Sequence, residues 1–152
     1  MNCTHDSQAM IRHWEGYRGT AYNKDGHWTI GFGHTIGVQE GDTCTLDVAI
    51  AWFAHDISLV EMCVTSLVQV PLSQDEFDAL CSFTYNEGPG RLAKSTLLHK
   101  LNDRQYTAAA SEFAKWVWGV DPTDPARKRR KIMDGLVRRR TWEHLLFTKG
   151  SA

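Results

Sequence analysis

The 152-residue chain has only four cysteines, and no two of them form a Cys-x-x-Cys pair, which excludes a dithiol redox motif or a zinc ribbon. Cys63 and Cys81 fall in apolar helical patterns, where a thiol acts as a small hydrophobe. All four, with Cys3 and Cys44, are expected to be reduced. No His-Glu-x-x-His or comparable spacing occurs. His27, His34 and Cys44 are the nearest approach to a ligand set, and no metal is expected. Proline is also scarce, with four residues, so little interrupts long helices. Met1 to Asp6 lack the apolar core of a signal peptide. No stretch is expected to approach the roughly 20 apolar residues of a membrane span. The protein is therefore expected to accumulate in the cytoplasm of the cell that makes it. There are no repeats or low-complexity tracts, and 42% hydrophobic with 23% charged residues is a globular composition. The length suits one domain, residues 1–152.

Net charge is close to zero, at −1, but unevenly spread. Residues 1–126 hold eight Lys/Arg and sixteen Asp/Glu, whereas residues 127–152 hold nine and two, so −8 is nearly offset by +7. The run Arg127-Lys128-Arg129-Arg130-Lys131 and the triplet Arg138-Arg139-Arg140 read as a solvated cationic helix face. Residues 127–140 could also meet an anionic wall or membrane surface. No aromatic or glycine interleaving of a nucleic-acid module accompanies them, so no nucleic acid is expected. One arginine of the triplet could instead reach a cleft as a counterion for Glu15.

Hydrophobic periodicity predicts a first helix over 5–15, ended by Gly16. Residues 17–35 are rich in glycine, aromatics and β-branched residues around the Asp25-Gly26 turn signal. They predict a hairpin or a three-stranded sheet. Thr43 or Thr45 caps a long helix to about Val68, which at 1.5 Å per residue spans roughly 36 Å. Pro71 ends it. Ser73 and Glu76 form a capping box with a Leu72–Phe77 staple, opening a helix that reaches the Asn86-Glu87-Gly88-Pro89-Gly90 turn. A short helix near 95–101, one capped by Asp103, and helices from about Ala126 to Phe147 complete the chain. The fold class is α+β, with a small N-terminal β lobe (about 16–44), a long connecting helix (about 45–68) and a mostly helical lobe (about 72–148).

The chemistry concentrates between Glu15 and His34. Glu15 precedes a helix-stopping glycine, near the negative end of the helix dipole and beside Trp14. Dipole and burial both disfavour a charge there, as suits a carboxyl that donates its proton in glycoside cleavage. Asp25, on a polar turn, is expected to stay ionised. Two carboxyls in such different surroundings suggest a division into acid and base. The hydroxyl of Thr29 can orient a water. On these residues alone, a solvated helix-end acid and an ordinary turn residue remain open. Six tryptophans serve core packing, or sugar stacking for some of them.

The segment from Glu15-Gly16 through Thr29-Ile30-Gly31-Phe32-Gly33-His34 resembles the signature of the phage lysozyme (endolysin) family, glycoside hydrolase family 24. Residues 79–88, Lys94-Ser95-Thr96-Leu97-Leu98 and Gly135-Leu136-Val137-Arg138-Arg139-Arg140 resemble later family motifs in order. The resemblance implies a lysozyme-like fold and a muramidase that cuts the β-1,4 bond between N-acetylmuramic acid and N-acetylglucosamine with inversion. Glu15 would be the acid, Asp25 and Thr29 would hold the water, and His34, Tyr85 and Asn86 would line the substrate cleft. It implies no cofactor, a monomer, and release from the host cytoplasm by a separate pore-forming protein.

One departure stands out. Nine residues separate Glu15 from Asp25 and three separate Asp25 from Thr29, one residue fewer in all than the family's eight and then five. Counting from Thr29 puts Asn23 in the family's Asp position, and counting from Glu15 puts Lys24 there. Asp25 is the only acid in the turn and is assigned the role. The displacement keeps open a protein that binds glycan or an anionic surface without cutting. An amidase or peptidase is a weaker third reading.

Overall fold

The computed structural model describes residues 1–150. Thr4 opens α1 (His5–Glu15), its hydroxyl accepting the Ser7 N–H, and Gly16 at φ +70° closes it. A glycine is needed there because a side chain is strained at that φ. β1 (Arg18–Lys24) and β2 (His27–Gly31) form an antiparallel hairpin. Lys24 pairs with His27 across the two-residue turn Asp25-Gly26, whose φ angles of +51° and +89° give it the twist that strands prefer. Isolated bridges, Thr20 to Thr43 and Ile30 to His34, extend this small sheet where a third strand was one of the expectations.

Thr45 caps α2 (Leu46–Leu67). Its inward stripe of Ala49, Phe53, Ile57, Val60 and Val64 recurs every three or four residues and packs on β2 and on α3 (Gln74–Glu87). By length and composition α2 could also cross a bilayer, which corrects the expectation that no stretch comes near a span. The capping box of Ser73 and Glu76 is present at the start of α3. This helix is the centre of the second lobe, with Phe77, Ala79, Leu80, Cys81 and Phe83 buried. Around it lie α4 (Pro89–Ala93), α5 (Thr96–Asn102), α6 (Tyr106–Ala110), a 3-10 turn at Phe113–Lys115 and α7 (Asp134–Gly150). Leu92, Leu97, Leu101, Phe113 and Phe147 complete the core.

Two expectations need correction. Asp103 does not start a helix; it ends α5, and α6 begins at Tyr106 with Gln105 at its N-cap and no side-chain cap bond. Residues 118–132 are not helical either. They form a second hairpin, β3 (Trp118–Val120) with β4 (Arg130–Ile132), and helix resumes only at Asp134. The basic run therefore lies on a hairpin loop and strand, not on a helix face. All four cysteines are free, with Cys3 and Cys81 buried.

Candidate active site

Glu15 is the last residue of α1, and its side chain is 9% exposed. Its partner is Arg139 of α7, whose Nη1 donates to Oε1 at 2.6 Å. The same guanidinium donates from Nη2 to the Ser82 carbonyl oxygen at 2.9 Å, and Nε lies 3.3 Å from both the Ser82 hydroxyl and Glu143 Oε1. Arg139 is thus fixed on three sides before it reaches the acid. Arg140 is turned the other way. It donates to Asn86 Oδ1 at 2.7 Å, and its Nε lies 3.0 Å from Glu143 Oε2. Glu143 is fully buried. Burial pushes its carboxyl up, opposed by Arg140, Arg139 and the Ser82 hydroxyl. Of the basic triplet, then, two members are core residues and only Arg138 is exposed.

Gly33 packs directly on the acid. A Cβ built there would stand 3.1 Å from Glu15 Oε2, and φ is +85°. This explains a glycine between Phe32 and His34 in physical terms. Tyr85 holds the same loop, donating its hydroxyl to the Phe32 carbonyl at 2.8 Å. Burial raises the phenol well above its ordinary value, with the charges of Asp56 and Glu15 adding to the rise.

Two hollows meet at Glu15. One, of about 600 Å³, is lined by Glu15, Asp25, Thr29, Tyr85, Asn86 and Arg91 among others. The other, of about 710 Å³, shares Glu15, Asp25, Asn86 and Arg91 and runs on to Trp118, Arg127 and Leu136. Together they form a groove with the acid between the β1–β2 hairpin and the second lobe. Of the residues expected at the site, the structure brings Glu15, Asp25, Thr29, Tyr85 and Asn86 to this groove. Thr29 is buried, and its hydroxyl donates to the His27 carbonyl at 3.2 Å. Asp25 is more than half exposed and pairs with Arg127 at 2.7 Å. Asn23 lies in β1 opposite Trp28 and serves the turn, its Oδ1 accepting the Gly26 N–H at 3.0 Å.

His34 is placed elsewhere and does not line these hollows. Its Nδ1 lies 2.7 Å from Asp56 Oδ2, and its ring stacks on Trp52 with centroids 4.8 Å apart. It fastens the 30–34 turn to α2 rather than facing a ligand. Arg139 is the arginine of the triplet that reaches the acid as its counterion, whereas Gly33 is a neighbour of the acid that the sequence did not single out. Spacing on α7 does not pick out which one, since Arg139 and Arg140 both reach Glu143, at four and three residues.

The two lobes, the long helix between them and a nearly enclosed acid in the intervening groove define a lysozyme-like α+β protein. The phage lysozyme family profile matches residues 12–143. An endolysin of Acyrthosiphon pisum secondary endosymbiont phage 1 is 36% identical over 148 residues, 97% of this chain and 98% of the relative. The muramidase domain of SpmX from Asticaccaulis excentricus superposes with a TM-score of 0.85 at 32% identity, covering 96% of this chain and 97% of that one. An endolysin from Escherichia coli O157:H7 phage FAHEc1 gives 0.81 at 27%, covering 97% and 93%. The chain belongs to the phage lysozyme family.

Proposed function

We propose that the protein is a muramidase of phage lysis, hydrolysing the β-1,4 bond between N-acetylmuramic acid and N-acetylglucosamine in peptidoglycan. The observation that carries this reading is Glu15, nearly enclosed at the meeting of two hollows and held by Arg139 through one oxygen only. The acid gives its proton to the glycosidic oxygen as the bond to the anomeric carbon breaks. A water attacks that carbon from the other face and loses its proton to Asp25, so the anomeric centre inverts. Thr29 donates its hydrogen to a backbone carbonyl, which leaves its oxygen lone pairs free to accept from that water. Tyr85 and Asn86 line the opposite wall. No step calls for a cofactor.

The test is digestion of purified peptidoglycan with analysis of the new ends. New reducing sugars support the proposal. New amines or carboxyls would mean an amidase or peptidase, and unaltered strands that retain bound protein would mean a glycan binder.

The same proposal extends to the setting. The enzyme works as a monomer and stays in the host cytoplasm until a separate pore-forming protein releases it. The exposed cations of residues 127–140 help it settle on an anionic wall or membrane surface. Fractionation of infected cells before and after pore formation tests the release route: lysozyme already outside the inner membrane before the pore opens would overturn it.

A further inference from the structure

Asp25 sits in a two-residue turn at φ +51° with its side chain 55% exposed. A carboxylate in that position has several open rotamers, whereas a base must be held within a fraction of an ångström of the water it serves. The family spacing around it is also short by one residue. Something outside the hairpin has to orient it. Among the described residues, one group does: Nη2 of Arg127 donates to Asp25 Oδ1 at 2.7 Å, from 102 positions along the chain.

Arg127 is delivered by a loop built for the purpose. The Asp121 N–H donates to the Arg129 carbonyl at 2.9 Å, closing the second hairpin. The Asp124 carboxylate accepts the backbone N–H groups of Ala126, Lys128 and Arg129 at 3.2, 2.9 and 2.8 Å. Those bonds, that of Arg129 first, hold the Asp124 carboxyl below its ordinary value. The Arg127 N–H donates to the Asp124 carbonyl at 2.9 Å, and Arg127 itself takes φ +52° at the tip. Asp25 and Arg127 both line the larger hollow with Glu15.

We propose that Arg127 is a positioning residue for the hydrolysis. From the second lobe it holds Oδ1 of Asp25 across the groove and leaves Oδ2 to receive the proton of the attacking water. This rests on reading Asp25 as the base.

The experiment measures kcat and KM on soluble glycan strands for the wild type, Arg127→Met, Arg127→Lys, Asp25→Asn and the pair Asp25→Asn/Arg127→Met. Arg127→Met is expected to lower kcat about fivefold, the upper end of what an exposed ion pair carries, with KM nearly unchanged. Arg127→Lys, which can make the same single contact, is expected to restore most of the rate. On the Asp25→Asn background, Arg127→Met is expected to change nothing further. Asp124→Ala, which loosens the loop without touching Asp25, is expected to reproduce part of the kcat loss.

An unchanged kcat in Arg127→Met beside a crippled Asp25→Asn overturns the positioning role and leaves Asp25 as the base. A raised kcat also overturns it, making the contact an obstruction. Full activity in Asp25→Asn removes the base itself, and the positioning role with it.

Discussion

Glu15 and Gly33 act as one unit. Glu15→Gln keeps the shape and the Arg139 contact through its carbonyl oxygen but has no proton to give. It is expected to lower wall hydrolysis by about a thousandfold or more in a protein whose thermal unfolding is little changed; retention of a tenth of the activity would remove Glu15 from the mechanism. Gly33→Ala combines a strained φ of +85° with a Cβ 3.1 Å from Glu15 Oε2. It is expected to cost about 1–2 kcal/mol of stability and to lower kcat more than it raises KM. Native kcat in Gly33→Ala would show that the acid tolerates displacement. Glu15 was legible in the sequence because a helix-stopping glycine follows it directly. The company of His34 was not, because Asp56 and Trp52 lie on a different element and only packing brings them to the ring. Which arginine of the triplet reaches the acid depends on the rotation of α7, and three consecutive identical residues carry no signal about that.

Short elements were the least legible. The long α2 and α3 announce themselves through apolar spacing and caps. β3 and β4 have three residues each, too few for alternation to register, and five basic residues in a row read more easily as a helix face. The tie between α5 and the 3-10 turn was equally hidden. Glu112, nearly buried, accepts from Lys100 and from Lys115, the latter at 2.8 Å. The Lys100 hydrogen bond first, and then that of Lys115, holds its carboxyl below the ordinary value. A carboxyl lowered in the folded state stabilises the fold above its unfolded value of about 4.3, and that contribution is lost as pH falls through the folded value. Glu112→Gln is therefore expected to lower Tm at neutral pH, with the gap to wild type closing below about pH 4. Thermal melts from pH 7 to 3 check this. A gap that persists at the acid end would assign the loss to packing instead. Tyr85→Phe, which removes the hydrogen bond joining α3 to the Phe32 carbonyl, is expected to cost about 1 kcal/mol.

On the scale of the whole molecule, the polarity between an acidic body and a basic tail survives folding, but with fewer free cations than the sequence suggests. Arg127, Arg139 and Arg140 are committed to Asp25, Glu15 and Glu143. Lys128, Arg129 and Arg138 are exposed and make no ion pair among the described residues. Neutralising Lys128 and Arg129 is expected to slow lysis of whole walls at low salt and to matter less above physiological salt, where screening shortens the field to under about 8 Å. Equal rates at both salt levels would leave these side chains as ordinary solvated surface.

The placement of Glu15 has a mechanical consequence. α1 is moored to the helical lobe at both ends, by the Thr4 backbone N–H to Asp78 and by Arg139 to Glu15, whereas Asp25 and Thr29 ride on the hairpin. Glu15 and the Asp25–Thr29 pair thus occupy opposite jaws, joined in the chain at Gly16, where nothing lies within 4 Å of a built Cβ. The gap between the two carboxyls is then set by how the jaws are fastened to each other, and Arg127 to Asp25 and Tyr85 to the Phe32 carbonyl are the side-chain ties that span it. On the proposed mechanism, a cross-link that props the jaws ajar is expected to lower activity without altering an atom of either carboxyl.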